Sequence, residues 1–296
     1  MKRGLLLLVF SLIFTGSLMA QFEDRFGLLT ETNLKEYAKP FATSLGTAMN
    51  SGGYYTADIP AFWGFSFSMR GMMILIPEDQ KTFTPVMPDG YTADVPAATI
   101  YGEKGGYYAG PDGYIVTPPG ANLTSIPMGL PQISASFLGT QVMLRYLPEI
   151  DLNTGEDNKI SMFGIGIAHS VSQYIPLIPI DAAVQLMYNK FEITNLFNVK
   201  NIAFNAHVSK TLGIFTPYFG LQYESTTVNV DYTIEGDPNS GDPELRQDKN
   251  ASVEIDGDNT FRATIGASLK LAIIVLNADF SLASQSVATA GLTFAF

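Results

Sequence analysis

The chain has no cysteine, only two histidines, and charged residues in just 15% of its 296 positions. Without cysteine it forms no disulfide and has no thiolate nucleophile or thiolate metal ligand. The charged fraction is below the roughly 25% typical of soluble domains. After the first twenty residues, no apolar run approaches the ~18 residues that a membrane-spanning helix needs. If the mature protein is in a membrane, it crosses as strands.

Apolar residues make up 46% of the chain, which excludes a disordered protein. The formal net charge is −11, and acidic residues outnumber basic ones by 28 to 17. This balance argues against a nucleic-acid partner, because such proteins present basic surfaces to phosphates.

The first twenty residues predict a signal peptide. Lys2 and Arg3 precede an apolar stretch over Leu5–Leu18, and Ala20 offers a small residue for cleavage. The alternative is retention as a membrane anchor, although the stretch is short for a spanning helix. We therefore expect an exported protein.

Residues 21–52 predict an amphipathic helix that forms a hatch or cap. Asn33 and Glu36 resemble a capping box at its start. The apolar face, which we expect to plug the barrel or border a ligand path, contains Leu34, Tyr37, Phe41 and Leu45. The alternative is a helix that simply covers one barrel mouth.

Residues 53–296 predict an all-β, antiparallel transmembrane β-barrel. Along 62–76, apolar residues such as Phe65 and Phe67 alternate with small or charged residues such as Ser66 and Arg70. Membrane barrels alternate in this way, with apolar residues toward lipid. Nine candidate strands are 62–76, 132–147, 160–174, 180–193, 199–211, 214–234, 252–270, 274–283 and 286–296. Bacterial barrels close with an even number of strands, so we expect about ten, within 8–14, the tenth from 53–59 or 77–130.

Residues 77–130 predict an irregular insert rich in proline, glycine and tyrosine. It is too long for an ordinary loop. The sequence leaves open whether it lies outside, inside or below the barrel.

The last residues resemble the signal that barrel-assembly machinery recognises in outer-membrane proteins. The residues that match the fixed positions of this signal are Thr289, Gly291, Phe294 and Phe296. The implied partners are that machinery and outer-membrane lipid, and the implied location is the cell outer membrane. With the C-terminus in the periplasm, the long acidic segment 235–251 is extracellular, as expected for such barrels.

Several segments resemble an uncharacterised family of outer-membrane barrels from Bacteroidota-type bacteria. They include Tyr37-Ala38-Lys39-Pro40-Phe41, Lys81-Thr82-Phe83, and Gly164-Ile165-Gly166 followed by His169-Ser170. The general plan, a helical hatch before a barrel, is similar to the FadL long-chain fatty-acid channel superfamily. That resemblance implies passive transport of a small hydrophobic ligand, and it assigns no ligand residue.

The strand parity predicts charged side chains in the lumen. These are Arg70, Arg145, Asp181, Lys210, Glu224, Arg262, Lys270 and Asp279. Opposed charges could set the selectivity of a pore. Alternatively they form an ion-pair network that fills a narrow barrel, which a ten-stranded lumen favours.

No residue pattern predicts an enzyme, a cofactor or a metal site. Asn205, His207 and Ser209 share a lumenal face, but catalysis would need the serine within hydrogen-bond reach of the histidine. Oxygen-bearing residues alternate over 149–157 and could hold calcium, although an ordinary Asp/Asn/Gly turn explains them better.

We expect a passive transporter of a small hydrophobic molecule. The alternative is a structural or accessory outer-membrane protein that acts through a protein partner, which the sequence does not identify.

Overall fold

A computed structural model of the chain describes residues 29–151, 159–175, 178–194, 196–234, 246–247 and 249–296. The predicted signal peptide lies outside the described residues, and so does most of the 149–157 loop. Among the described helices, none is long and apolar enough to cross a membrane.

A single wall of antiparallel strands closes on itself. The strands are β1 (Gly64–Leu75), β2 (Thr82–Phe83), β3 (Ala97–Ala98), β4 (Tyr107–Gly110), β5 (Gly113–Val116), β6 (Ser125–Phe137), β7 (Thr140–Asp151), β8 (Lys159–Ser170), β9 (Asp181–Ile193), β10 (Phe197–Ser209), β11 (Phe215–Ile234), β12 (Lys249–Asp256), β13 (Phe261–Leu271), β14 (Ile274–Leu282) and β15 (Val287–Ala295). Each wall strand pairs with its neighbour, and β1 pairs with both β6 and β15.

The barrel has ten strand positions, which confirms the predicted even number and the central estimate. Strand β11 pairs with β13 along Phe215–Tyr223 and with β12 along Thr227–Ile234, so β12 and β13 share one position. We call the end where β1 begins the lower end and the end where β1 finishes the upper end. Strand β11 has 20 residues, whereas β13, β14 and β15 have 11, 9 and 9, so the wall is tall on one side.

The sequence predicted that the tenth strand comes from 53–59 or from 77–130. It does not come from 53–59, and only the first six residues of β6, 125–130, lie within 77–130. The segment predicted as one strand over 132–147 is the hairpin β6–β7, turning at Leu138 and Gly139. Both turn residues have positive φ, 51° and 68°, as type I′ hairpins require. Leucine is a rare first residue for this turn, so the sequence carried no turn signal. The predicted strand 252–270 is likewise two strands, β12 and β13.

The helix α1 (Glu31–Met49) begins one turn earlier than the predicted capping box. Thr30 is the N-cap, and its hydroxyl accepts from the backbone N–H of Asn33 at 3.4 Å. The Asn33 amide instead holds the insert: it donates to the Val86 carbonyl at 3.0 Å and accepts from the Val86 N–H at 2.8 Å.

The insert covers the upper mouth of the barrel and ends at residue 124, because 125–130 belong to β6. Two short hairpin sheets, β2–β3 and β4–β5, lie within it. The Ile100 N–H donates to the Tyr37 carbonyl at 3.0 Å, and the Tyr37 hydroxyl donates to the Pro119 carbonyl at 2.9 Å. The insert therefore packs directly on α1.

The wall has two bands with opposite polarity. In the lower band, which we call the apolar belt, apolar side chains point outward and polar side chains point into the lumen. In the upper band, polar side chains point outward and apolar ones point inward. Along β10, Ile202 and Phe204 are exposed in the belt, whereas Lys200 is the exposed residue just above them.

Candidate functional site: a helix held inside the barrel

The apolar face of α1 fills the upper half of the lumen. The four residues predicted to form a plug or ligand path, Leu34, Tyr37, Phe41 and Leu45, are at most 3% exposed. They belong to one core with inward residues of the upper band, which include Phe191, Phe197, Val199, Val228, Val230, Val253 and Ile255. The rings of Phe41 and Phe197 meet edge to face at 5.3 Å. The space between helix and wall is thus a packed core of the kind found in soluble proteins.

Gly46 allows the helix to approach the wall at close range. A Cβ at this position would overlap the Thr226 side chain of β11. Hydrogen bonds fix the same part of the helix on the other side, where the Ser44 hydroxyl donates to the Gln285 Oε1 at 2.7 Å. The position of α1 in the lumen is therefore determined by specific contacts as well as by apolar packing.

Three buried arginines, Arg70, Arg145 and Arg262, form a layer below α1 that we call the arginine layer. Each is at most 1% exposed. Arg145 donates from Nη1 to the Met49 carbonyl at 2.6 Å and from Nη2 to the Ser51 carbonyl at 2.8 Å. Its Nε also donates to Gln132 Oε1 at 3.1 Å. Arg145 thus connects the wall to the end of the helix.

Arg262 makes the second connection between the wall and the helix, and it also forms an ion pair with a buried carboxylate. Its Nη2 lies 2.8 Å from Glu224 Oε1, and both side chains are almost completely buried. The same Nη2 donates to the Thr47 carbonyl at 3.2 Å, and Nη1 donates to the Ser51 hydroxyl. A buried charge costs least when it is both paired and hydrogen-bonded, and Arg262 has a carboxylate partner as well as hydrogen bonds.

The last carbonyls of any α-helix lack partners within the helix and carry the negative end of its dipole. Here the barrel supplies those partners. Besides the two arginines, the Asn189 amide donates to the Met49 carbonyl at 3.1 Å, and the Gln222 amide donates to the Asn50 carbonyl at 3.4 Å. Arginines suit this end of the helix because cations near a helix C-terminus are stabilising.

Arg70 lies beside the C-terminal strand. Its guanidinium donates to Asn277 Oδ1 and lies 5.2 Å from the centroid of the Tyr55 ring. A Cβ on Gly291 would overlap the Arg70 Nη1 and Asn277 Oδ1. Gly291, predicted as part of an assembly signal, thus also makes room for a buried cation.

Below the arginine layer, residues 50–60 descend through the lumen without forming a strand. The Tyr54 ring stacks on His207 with centroids 4.0 Å apart. The Ser209 hydroxyl accepts from the Ala57 N–H at 2.9 Å, and it lies 3.2 Å from the Thr56 hydroxyl. His207 Nδ1 lies 2.8 Å from Asn205 Oδ1. His207 and Ser209 therefore have separate partners, and the structure does not join them as a nucleophile and its base.

A cavity of about 220 Å³ opens at the lower mouth. Its polar lining includes Tyr54, Tyr55, Gln132, Gln185 and His207, and it contains no residue of α1. The cavity thus ends near the arginine layer and does not reach the apolar core around the helix.

Of the remaining predicted lumenal charges, Asp279 lies beside the arginine layer, where it lines the same small lumenal space as Ser51 and Arg262. Asp279 accepts from the Tyr218 hydroxyl at 2.8 Å. Asp181 is half-buried, and Lys270 is an exposed residue that lines the lower cavity. Lys210 is also exposed, and its ammonium donates to the Pro179 carbonyl at 2.8 Å. Asp181, Lys210 and Lys270 lie lower in the barrel, and they do not contribute to the arginine layer.

The predicted assembly-signal residues lie on β15 and just after it. Thr289 is buried on the inner face, whereas Phe296 is 72% exposed at the lower rim. The Phe296 N–H donates to the Phe65 carbonyl at 2.8 Å, which closes the barrel at this end.

Sequence reasoning found the arginines but missed the amides that complete the layer, Gln132, Asn189 and Gln222. Their inward parity was readable from the alternation. What the sequence could not show was that helix carbonyls would lie opposite them.

Across the described part of the chain, no group of three His, Cys, Asp or Glu side chains could hold a metal. Asn153, Gly155 and Asp157 of the candidate calcium loop lie outside the described residues.

Several solved outer-membrane proteins resemble this chain weakly. OmpTdeltaL8, a loop-deletion mutant of an outer-membrane protein of Vibrio cholerae, is 9% identical, with 79% of this chain and 99% of that chain covered and a TM-score of 0.28. The transport unit of the autotransporter AIDA-I from Escherichia coli is 9% identical, with 88% and 97% covered and a TM-score of 0.31. Ail of Yersinia pestis, in complex with the heparin analogue sucrose octasulfate, is 9% identical, with 79% and 99% covered and a TM-score of 0.19. We infer nothing from likeness at these scores.

No curated protein sequence matches the chain. A known protein family does match, and the match covers the full length of the chain. Residues 1–296 fit the family of unknown function DUF6588, and the chain belongs to that family.

Proposed function

We propose that the barrel spans the outer membrane, with the apolar belt in the bilayer. The support is the polarity of the lower band, where outward residues are apolar and lumenal residues are polar, as lipid requires. Strands β13, β14 and β15 have 11, 9 and 9 residues. This fits the roughly 9–11 residues that a tilted strand needs to cross a bilayer.

Connection lengths favour an upper end that faces the outside of the cell. The lower connections include the turns Leu138–Gly139 and Ala272–Ile273, whereas the upper ones include the insert over 76–124. Outer-membrane barrels have short periplasmic turns and longer extracellular loops. On this orientation, α1 and the insert lie on the extracellular side.

We infer that the protein works as a closed barrel, and that its surface-exposed cap acts in a structural or accessory role. The observation that carries this proposal is the burial of α1 together with the bonds from Arg145 and Arg262 to its last carbonyls. An open pore would need a continuous aqueous path, and α1 occupies the upper lumen.

Conductance in planar lipid bilayers tests this proposal. The wild-type protein should show no steady conductance, whereas Arg145→Ala combined with Arg262→Ala should open intermittently because α1 loses its fixed end. Lys35→Ala is the matched control, since Lys35 pairs with Glu31 on the exposed side of the same helix. A steady channel from folded wild-type protein would contradict a closed barrel.

Passive transport of a small hydrophobic molecule is the second candidate. It is favoured by the cavity at the lower mouth and by the apolar interface between α1 and the wall. A hydrophobic molecule could use that interface only if α1 moved out of its place. Transport therefore requires displacement of the helix, and the closed-barrel proposal does not.

A reversible disulfide separates the two candidates. Asn259 Nδ2 donates to Thr47 Oγ1, so Thr47→Cys with Asn259→Cys places two thiols near each other in a chain that has no other cysteine. A fluorescent fatty acid should cross liposomes at the same negligible rate with this pair oxidised or reduced if the barrel is closed. Transfer by the reduced form that oxidation abolishes would favour transport.

A further inference from the structure

Two lysines lie directly opposite each other on the outer surface of the wall. Lys190 of β9 and Lys200 of β10 are register partners in the antiparallel ladder. The Cβ atoms of such partners are about 4.5–5.5 Å apart, and like charges in this arrangement destabilise a sheet. An anion close to either lysine reduces this repulsion.

The pair lies at the upper edge of the apolar belt. The next outward pair below it is Tyr188 and Ile202, which are 39% and 48% exposed. The next outward pair above it is Glu192 and Asn198. With the belt in the bilayer, the lysines are at the depth of the outer-leaflet headgroups, and the apolar pair below them is at the depth of the upper acyl chains.

The local charge balance leaves a cation available. Lys190 contacts Glu192 at 2.6 Å, which neutralises one of the two charges. Lys200 is exposed and makes no ion pair with any residue that the structure describes. On its other side, β11 presents Thr227, whose hydroxyl donates to Asp256 at 2.9 Å. Lys159 lies on the next strand, β8, 4.0 Å from Glu149.

We propose that Lys190 and Lys200 bind a phosphate group of an acylated outer-leaflet lipid, lipid A in a bacterial outer membrane. This rests on the proposed membrane placement and adds a lipid partner to it. Lysine ammonium groups bind phosphate as point charges. The adjoining Tyr188 and Ile202 explain why the source is a lipid: they offer apolar surface for an acyl chain next to the cations.

The test uses full-length protein in nanodiscs that contain bisphosphorylated lipid A, with dephosphorylated lipid A and inorganic phosphate as the comparison arms. Lipid retention is measured by native mass spectrometry. We expect wild-type protein to retain the bisphosphorylated lipid at least about tenfold better than the dephosphorylated one, since each lysine near an anionic surface contributes appreciably. Lys190→Gln with Lys200→Gln should remove that preference. Lys35→Gln on the helix is the control and should keep it.

Equal retention of both lipids by wild-type protein would overturn the lipid site. Inorganic phosphate that displaces the lipid completely at millimolar concentration would also overturn it, in favour of a free-anion site. Insertion into nanodiscs is scored separately by heat-modifiable mobility on gels. Protein that inserts without a lipid preference therefore leaves the membrane placement standing, whereas protein that does not insert refutes the placement itself.

Discussion

The lower and upper bands of this barrel are built from the same strands, yet they distribute polarity in opposite ways. On β11, Phe219 and Leu221 point outward in the belt, with Gln222 and Glu224 inside. A few residues further along the same strand, Thr227 and Asn229 point outward, with Val228 and Val230 buried inside. The inversion is what a chain requires if lipid surrounds one band and water surrounds the other.

The two bands also contain different lumens. The upper lumen holds an apolar core around α1, and the lower lumen holds amides, hydroxyls and charged groups around a cavity. The arginine layer separates them. The position of this layer is physically reasonable, because it lies where the helix ends and its carbonyls need donors.

The largest expected effect comes from Glu224→Ala, which should break the arginine layer. It leaves Arg262 buried without its carboxylate, so we expect the free energy of unfolding to fall by about 3–5 kcal/mol. Urea titration in lipid vesicles, followed by heat-modifiable mobility, measures this. Glu254→Ala, at an exposed outward position of β12, is the control and should change little. A loss below about 1 kcal/mol for Glu224→Ala would argue against a structural role of this ion pair.

The membrane boundary can be tested on a single strand. Phe219→Arg places a charge in the belt and should cost roughly 2–4 kcal/mol, whereas Asn229→Arg on the same outer face should stay within about 0.5 kcal/mol. The same urea titration compares the two variants. Equal costs would mean that the polarity inversion does not mark the edge of the bilayer.

The N-cap of α1 should contribute less to stability than the arginine layer at the C-terminal end of the helix. Thr30→Ala removes the N-cap acceptor and should reduce the stability of the plugged state by about 1 kcal/mol. Hydrogen exchange of the first-turn amides detects the change. Thr32→Ala, an exposed residue of the same turn, is the matched control. Identical exchange in both variants would rule out the cap.

The smallest expected effect belongs to the pair between Lys39 and Asp258, which are 2.8 Å apart and partly exposed. The hydrogen bond to Asp258 raises the pKa of Lys39, with burial acting in the opposite direction. A raised pKa means that the pair stabilises the fold below the ordinary lysine value of 10.5 and loses this effect as the pH rises through the folded-state pKa. Lys39→Ala should therefore cost less than about 1 kcal/mol at pH 8 and nothing above the folded-state pKa. Urea titrations at both pH values measure this, and a cost that persists at the higher pH would contradict it.

Much of the wall was predictable because strand alternation is a local property. The alternation of apolar residues such as Ile202 and Phe204 with polar neighbours predicted the outward face. The rule that such barrels have an even number of strands predicted one strand more than the nine candidates. Its predicted location, 53–59 or 77–130, was correct only for the first six residues of β6, 125–130. The hairpin turn at Leu138–Gly139 was missed because such turns normally have Asn or Asp followed by Gly. The helix cap was also misplaced, since Thr30 and Asn33 are both good N-cap residues and only their contacts distinguish them.

The sequence by itself determined that this chain forms an antiparallel barrel of about ten strands with a helix before it. Those properties depend on period-2 alternation and on an apolar helical face, which neighbouring residues define. The tertiary structure alone decided that α1 lies inside the upper lumen and that Arg145 and Arg262 hold its end. These bonds join residues more than 90 positions apart, and closure of the barrel is what brings them together.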